Sequence, residues 1–322
     1  MIEITIDDDN AGQRLDKFLR RHLNQVPTSH LFKMIRTKKV RVNGKRATPE
    51  QVLAKGDTLF IRGDKARLEN PLGAPSPRTR PSPPPVDPQK LVVLLEDDWI
   101  MAIDKPSGMA VHPGSGISGG TAVDYVRAHL GIHAERNGFL ASPAHRLDRD
   151  TSGVLLVAKR RPAMVHFTEV FTEGKAKKRY WALVKGKMPE LAGTIDLPLS
   201  EKQQTAASKS RRGTNFQEAT THWRVLAQGN DSALLECRIE TGRTHQIRRH
   251  LEAIGHPVSG DRRYGDFAFN RELRARWGLK RMFLHASQIE FPHPESKAWV
   301  KVVSSLPTDL SDVLARAALS VP

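Results

Sequence analysis

The sequence predicts an α+β protein in two units, and three observations carry that prediction. Between Pro71 and Pro88 eight of eighteen residues are proline and no apolar periodicity survives, which marks an extended, semi-rigid linker. The break separates a small module, residues 1–64, from a large domain over 91–307, with 65–90 as connection and 308–322 as a C-terminal tail. Helical and strand-like patterns intersperse without a strict strand–helix–strand rhythm. Neither GxGxxG nor GxxxxGKS/T occurs, so no nucleotide cofactor is expected. At 322 residues the chain is long enough to bury a sizeable core.

In the module, Ile2, Ile4 and Ile6 alternate with polar residues as a half-buried strand does. Leu15, Phe18, Leu19 and Leu23 then form the stripe of an amphipathic helix, and a second helix carrying Leu31, Met34 and Ile35 is expected to start at a Thr28 or Ser29 cap. Val40-Arg-Val-Asn-Gly-Lys-Arg reads as a strand entering an Asn-Gly turn, with Leu59-Phe-Ile as the closing strand. In the large domain, strands are expected at Leu91–Leu95, Trp99–Ile103, Val154–Ala158, Arg179–Val184 and Ala233–Ile239. Helices are expected at Thr121–Leu130, closed by Gly131, and after Val154–Ala158, with Pro162 in the first turn and Gly174 past the end.

Lys plus Arg number 51 against 35 Asp plus Glu, a net charge of +16. Such an excess sits on the surface and attracts polyanions, nucleic acid foremost. Residues 13–62 hold thirteen of the cations against Asp16, Glu50 and Asp57, so ten of the sixteen surplus charges lie there. A solvated basic face is the plain alternative; the density favours phosphate contact. A mean hydropathy of −0.47 and the absence of any 18-residue apolar run exclude a membrane-spanning helix. The acidic, alternating start carries no secretory signal, and the lone Cys237 cannot form an internal disulfide, so a cytoplasmic protein is expected. Cys237 lies in Leu234-Leu-Glu-Cys-Arg-Ile and reads as packed core. No HExxH or CxxC is present, so no metal site is expected, and without heptads or an exposed apolar stripe the expected state is a monomer.

Two segments concentrate chemistry. His145-Arg-Leu-Asp-Arg-Asp-Thr-Ser-Gly crowds charges and hydroxyls immediately before the apolar strand at Val154, so at least one carboxylate is partly desolvated and needs a cation. Asp148 and Asp150 share a side in extended chain, which admits a glycosidase-like acid pair; alternatively Asp150 only braces the turn at Thr151-Ser-Gly. In Thr241-Gly-Arg-Thr-His-Gln-Ile-Arg-Arg-His-Leu, the expected helix puts Ile247, Leu251 and Ile254 in one stripe with Arg248 at its edge. Arg248 can snorkel to water or pair with a buried carboxylate. Arg243 and Arg249 face solvent, suited to phosphate, and Thr244 is placed to cap the helix.

The module, from Arg14-Leu-Asp-Lys-Phe-Leu through Val40-Arg-Val-Asn-Gly-Lys to Gly56-Asp-Thr-Leu, resembles the RNA-binding motif of ribosomal protein S-four type, also called the alpha-L motif. That resemblance implies that Lys38, Lys39, Arg41, Lys45 and Arg46 approach RNA phosphates. His145-Arg-Leu-Asp-Arg-Asp-Thr-Ser-Gly, Lys178-Arg-Tyr-Trp-Ala-Leu-Val-Lys-Gly and Thr241-Gly-Arg-Thr-His-Gln-Ile-Arg are similar to the three signature segments of the RluA-type pseudouridine synthases. Lys105-Pro-Ser-Gly-Met-Ala-Val-His, Asp261-Arg-Arg-Tyr-Gly-Asp and Phe283-Leu-His-Ala narrow the likeness to bacterial members that modify separated uridines of large-subunit (23S) rRNA. The resemblance implies a catalytic domain with a mixed, mainly antiparallel sheet and flanking helices. It also implies uridine-to-pseudouridine isomerisation of that rRNA or its assembly intermediates, with no cofactor.

Carried over residue by residue, the resemblance makes Asp148 the catalytic aspartate, Tyr180 the active-site tyrosine and Arg248 its basic partner. Arg146 matches the arginine that fills the space left by the extruded base. Tyr180 would stack on the base and relay the C5 proton, while Trp181 points to the opposite side of the strand. The target base must leave its stack before it can react. Attack by Asp148 on the sugar, attack on the ring and base catalysis all remain open. The proline-rich linker and the basic, Ser/Thr-rich Lys202–Asn215 depart from the family pattern and bear on substrate choice. An RNA N-glycosidase and a non-catalytic ribosome-assembly factor are the competing readings.

Overall fold

The computed structural model describes all residues except 1, 24–25, 64–85, 115–118, 137–138, 201–215 and 320–322. Most of the expected linker and the basic loop Lys202–Asn215 therefore lie outside the described residues.

The module runs β1 (Ile2–Thr5), α1 (Leu15–His22), α2 (Thr28–Arg36), β2 (Val40–Val42), β3 (Lys45–Arg46) and β4 (Thr58–Ile61), with sheet order β1-β4-β2-β3. Helix α1 buries the stripe Leu15, Phe18 and Leu19 against Leu31 and Ile35 of α2 and Leu59 and Ile61 of β4, a core of the module's own. Each such side chain contributes about 1.5–3 kcal/mol through burial. The β2–β3 hairpin turns at Asn43 and Gly44, both at positive φ (51° and 73°), as the Asn-Gly pair demands. Pro27, rather than Thr28 or Ser29, occupies the cap position of α2, and Thr28 is already helical. The fixed φ of proline suits that entry without a side-chain cap.

The large domain is one twisted sheet in the order β12-β15-β16-β11-β17-β10-β6-β5, with β9 paired to β10 and β18 to β17. Its strands are β5 (Val92–Glu96), β6 (Ile100–Lys105), β9 (Ser142–Pro143), β10 (Ser152–Ala158), β11 (Lys177–Lys185), β12 (Ala192–Asp196), β15 (Thr220–Gln228), β16 (Ser232–Ile239), β17 (Leu284–Pro292) and β18 (Trp299–Val303). Small hairpins β7 (Glu135–Arg136) with β8 (Phe139–Leu140) and β13 (Leu199–Ser200) with β14 (Phe216–Gln217) stand apart. Every pairing is antiparallel except β10 with β17, so the sheet is mixed and mainly antiparallel, as the resemblance implies. At that parallel pair Gly153 has φ +111°, and an added Cβ would lie 2.2 Å from the Ala286 carbonyl oxygen, so only glycine fits where the Asp148 loop enters the sheet.

Helices α3 (Ala122–Leu130), α4 (Arg161–Thr172), α5 (Gln246–Ala253), α6 (Phe267–Trp277) and α7 (Thr308–Arg316) flank the sheet. Thr121 and Asp124 form a reciprocal capping box on α3, and Gly131 closes it at φ 54°. The stretch expected to be a C-terminal tail is corrected: α7 buries Leu310, Val313 and Leu314 against Leu183, Leu234, Leu273 and Phe283, so it belongs to the domain core. No helix among the described residues is long and apolar enough to cross a membrane. Cys237 is fully buried, and burial pushes its thiol up to about 12.

Candidate active site

Residues 145–151 form the loop that feeds β10, the all-buried central strand. Thr151 N–H donates to the Asp148 carbonyl and closes a turn that projects the Asp148 side chain out of the sheet's end. A second segment clamps this loop from behind. Lys105, fully buried at the end of β6, donates from Nζ to the carbonyls of Pro106, Met109 and Arg149 at 2.9, 2.9 and 3.0 Å. Ser107 Oγ donates to the Asp150 carbonyl and Gly108 N–H to that of Arg149. Three carbonyl acceptors offset part of the cost of burying this ammonium, whose pKa burial lowers to about 7 against the pull of Asp150 and Asp148.

Helix α5 supplies the cation. Arg248 donates from Nη1 to Asp148 Oδ2 at 2.9 Å, and from Nε and Nη2 to Asp261 Oδ2 and Oδ1 at 2.6 and 2.9 Å. Asp261 is 1% exposed and its Oδ1 also accepts the backbone N–H of Arg263 and Tyr264. Burial opposes ionisation of Asp261, but Arg248 and these amides win, and its pKa lies below the ordinary carboxylate range. Burial likewise opposes a charged Arg248, and the two carboxylates more than compensate. A buried arginine held bidentately by one acid thus presents Nη1 to a second acid, Asp148, which opens to the cavity.

That cavity, of about 640 Å³, is lined by Asp148, Arg146, Tyr180, Lys178, Phe171, Arg243, His245 and Arg248 among others. Tyr180 projects from the middle of β11 into it and is 7% exposed; burial, then the Asp148 charge, raises its phenol pKa. The free site therefore holds Tyr180 protonated, which suits a wall for a base better than a proton acceptor. Trp181 faces the other side of the sheet, against the α6–α7 core, as strand alternation requires. His245 caps α5 in the left-handed region (φ 55°), its Nε2 3.8 Å from Asp148 Oδ1 and its Nδ1 3.0 Å from the Tyr264 hydroxyl. Tyr264 in turn packs its ring beneath the Arg248 guanidinium, 5.0 Å from its centroid.

The structure therefore brings Asp148, Tyr180 and Arg248 into one cavity, with Arg146 and Arg243 exposed at its walls. Arg243 also donates to the Glu218 carbonyl. Asp150 does not line the cavity; its carboxylate meets Arg149 Nε at 3.2 Å on the exposed side. Three local expectations are corrected. Arg249 is tied to Ser200 through its carbonyl and hydroxyl rather than left free for phosphate. Thr244 does not cap α5, because the loop turns back through His245 and Gln246 accepts the Arg243 N–H. Ile254 lies beyond the end of α5 and is 37% exposed. Sequence reasoning also gave no role to Lys105, Lys178, His245, Asp261 or Tyr264, although each lies in a segment that carries the resemblance.

On the module, Lys38, Lys39, Arg41, Lys45 and Arg46 are all exposed. Arg41 and Arg46 sit directly opposite each other in the β2–β3 pair, a like-charge juxtaposition that an anion would relieve.

Comparison with known proteins agrees with this geometry. The family described as RNA pseudouridylate synthase matches residues 99–253, and the S4 domain family matches residues 13–59. The chain is 41% identical over 293 residues, 90% of its length and 88% of the relative's, to Ribosomal large subunit pseudouridine synthase C of Escherichia coli (strain K12). It is 36% identical over 311 residues to the protein of the same name from Vibrio parahaemolyticus, 97% and 95% of the two chains. Among solved structures, Human RNA Pseudouridylate Synthase Domain Containing 4 superposes with a TM-score of 0.59 at 27% identity, covering 72% of this chain and 94% of that one. Since likeness at this level runs through nearly the whole length, both units included, the chain belongs to the RNA pseudouridylate synthase family.

Proposed function

We propose that this pseudouridine synthase acts on several separated uridines of 23S rRNA or its assembly intermediates, in the cytoplasm, as a monomer without a cofactor. The observation that carries the chemical part is the array in which Asp261 fixes Arg248 and Arg248 fixes Asp148 at the edge of a cavity walled by Tyr180. In this reading the target uridine flips into the cavity and Tyr180 packs on its ring. Asp148 engages the electron-poor centre while the C1′–N1 bond breaks, and C5 then bonds to C1′. Arg146 occupies the vacated stack, and Arg243 with the module's Lys38, Lys39, Arg41, Lys45 and Arg46 holds phosphates. The names of the relatives support the rRNA assignment. A glycosidase would need a second carboxylate poised over water, and Asp150 points away from the cavity.

Pseudouridine mapping of rRNA from cells lacking the protein tests the assignment. Several positions in 23S rRNA should revert to uridine and reappear on complementation with the native chain but not with Asp148→Asn. Full retention of every pseudouridine in 23S rRNA would move the substrate elsewhere.

A further inference from the structure

Lys178 and Tyr180 stand two residues apart on the same face of β11, and both line the cavity. Lys178 is 7% exposed. Among the described residues no acceptor hydrogen-bonds its ammonium and no carboxylate pairs with it; the Phe171 ring, its centroid 5.6 Å away, is what covers it. The acids that line the same cavity are engaged elsewhere: Asp148 with Arg248, Glu173 with Lys175, Glu240 with His222. Burial accordingly lowers the Lys178 pKa to about 8, which still leaves it mostly charged at neutral pH. A largely buried cation that lines the cavity without a protein counter-charge is placed to meet an anion that enters there.

Isomerisation of uridine generates a suitable counter-charge. When the C1′–N1 bond breaks, its electron pair leaves with uracil and spreads onto O2 and O4, while C1′ is taken up by the Asp148 carboxylate. C5 then bonds to C1′, the carboxylate departs with its electron pair, C5 loses its proton and N1 gains one, so the product is an isomer of the substrate. Between the two steps uracil is an anion, and Arg248 is already committed to two carboxylates. We propose that Lys178 is the cation that meets a carbonyl oxygen of uracil as the base becomes anionic, a contact made in the transition state rather than an anchor for RNA. The inference rests on the proposed uridine isomerisation at Asp148, and it takes attack on the sugar as the route.

Single-turnover assays with a saturating 23S rRNA transcript, beside filter-binding measurements of Kd, test it on the full-length chain. Lys178→Met should slow conversion about 100-fold, the usual loss for one oxyanion donor, with Kd within about twofold of the native value. Lys178→Arg should recover part of the rate. Because the substitution removes an unpaired buried charge, the thermal midpoint of Lys178→Met should not fall. Should it fall, folded Lys178→Gln decides by the same split. An unchanged rate, or a weakened Kd with the saturating rate intact, as a phosphate anchor would give, overturns the proposal. A native protein inert toward the transcript would instead sink the functional reading beneath it.

Discussion

Asp148→Asn is expected to abolish isomerisation, lowering the single-turnover rate by at least about 10⁴-fold, the range seen when a reacting carboxylate or nucleophile is removed. RNA affinity should change less than about threefold, because the proposed binding mode disperses its energy over phosphate contacts at the cavity rim and the module. The substitution is nearly isosteric and leaves Arg248 held bidentately by Asp261, so the buried cation keeps a full counter-charge and the fold has no reason to fail. Asp150→Ala should retain most activity, since that carboxylate pairs with Arg149 on the exposed side of the loop and does not line the cavity. Filter binding and single-turnover conversion of the same transcript check both; an active Asp148→Asn beside an inactive Asp150→Ala would reverse the assignment.

Asp261→Ala should be the most destabilising single change at the site. It strips a buried arginine of its bidentate partner, and breaking a buried pair from one side costs about 3–5 kcal/mol. In a domain of this size that lowers the thermal midpoint by roughly 10 °C. Activity should fall as well, because Arg248 then has only Asp148 to orient against and the array loses its fixed geometry. The pH dependence follows from sign. Burial would raise the Asp261 pKa, but Arg248 and the amides of Arg263 and Tyr264 bring it below 3.8 in the folded protein. Its contribution is therefore fully present above about pH 4 and lost as pH falls through the folded value. The midpoint difference between native and variant proteins should be constant from neutral pH down to that point and shrink below it. A variant as stable as the native chain at pH 7 would show that Arg248 does not depend on this pair.

Helical periodicity already placed Arg248 at the margin of an apolar stripe, where pairing with a buried acid was one of two outcomes, and Ile247 and Leu251 do bury as that stripe requires. What the pattern could not give was the acid. Asp261 lies in a run of charges, Asp-Arg-Arg-Tyr-Gly-Asp, that reads as a solvated turn; its burial depends on Gly260, at φ +75°, letting the backbone pack against the Arg281 carbonyl. Lys178 was equally hidden, because an alternation argument that aims Tyr180 inward aims Lys178 inward too, yet lysine by default goes to water. Strand β15 is weakly marked in the sequence: Thr221 and Trp223 alternate inward, but the other face carries Thr220, His222 and Arg224, and Val225-Leu-Ala then breaks the alternation. Helix α7 reads as a tail in the sequence because a nine-residue segment after Pro307 has too few turns to distinguish itself, and its partners Leu183 and Leu234 lie far away along the chain. The proline-rich linker and the basic loop, which the sequence sets apart from the family pattern, fall largely in 64–85 and 201–215, outside the described residues.

The most direct measurement of the central claim, that the Asp148 site isomerises uridine rather than releasing its base, is hydrogen bookkeeping at C5. A 23S rRNA transcript carrying tritium at C5 of its uridines should release one tritium to water for each pseudouridine formed, with no free uracil at any stage and no release by Asp148→Asn. Free uracil appearing in proportion to turnover, or tritium release that persists in Asp148→Asn, would contradict it.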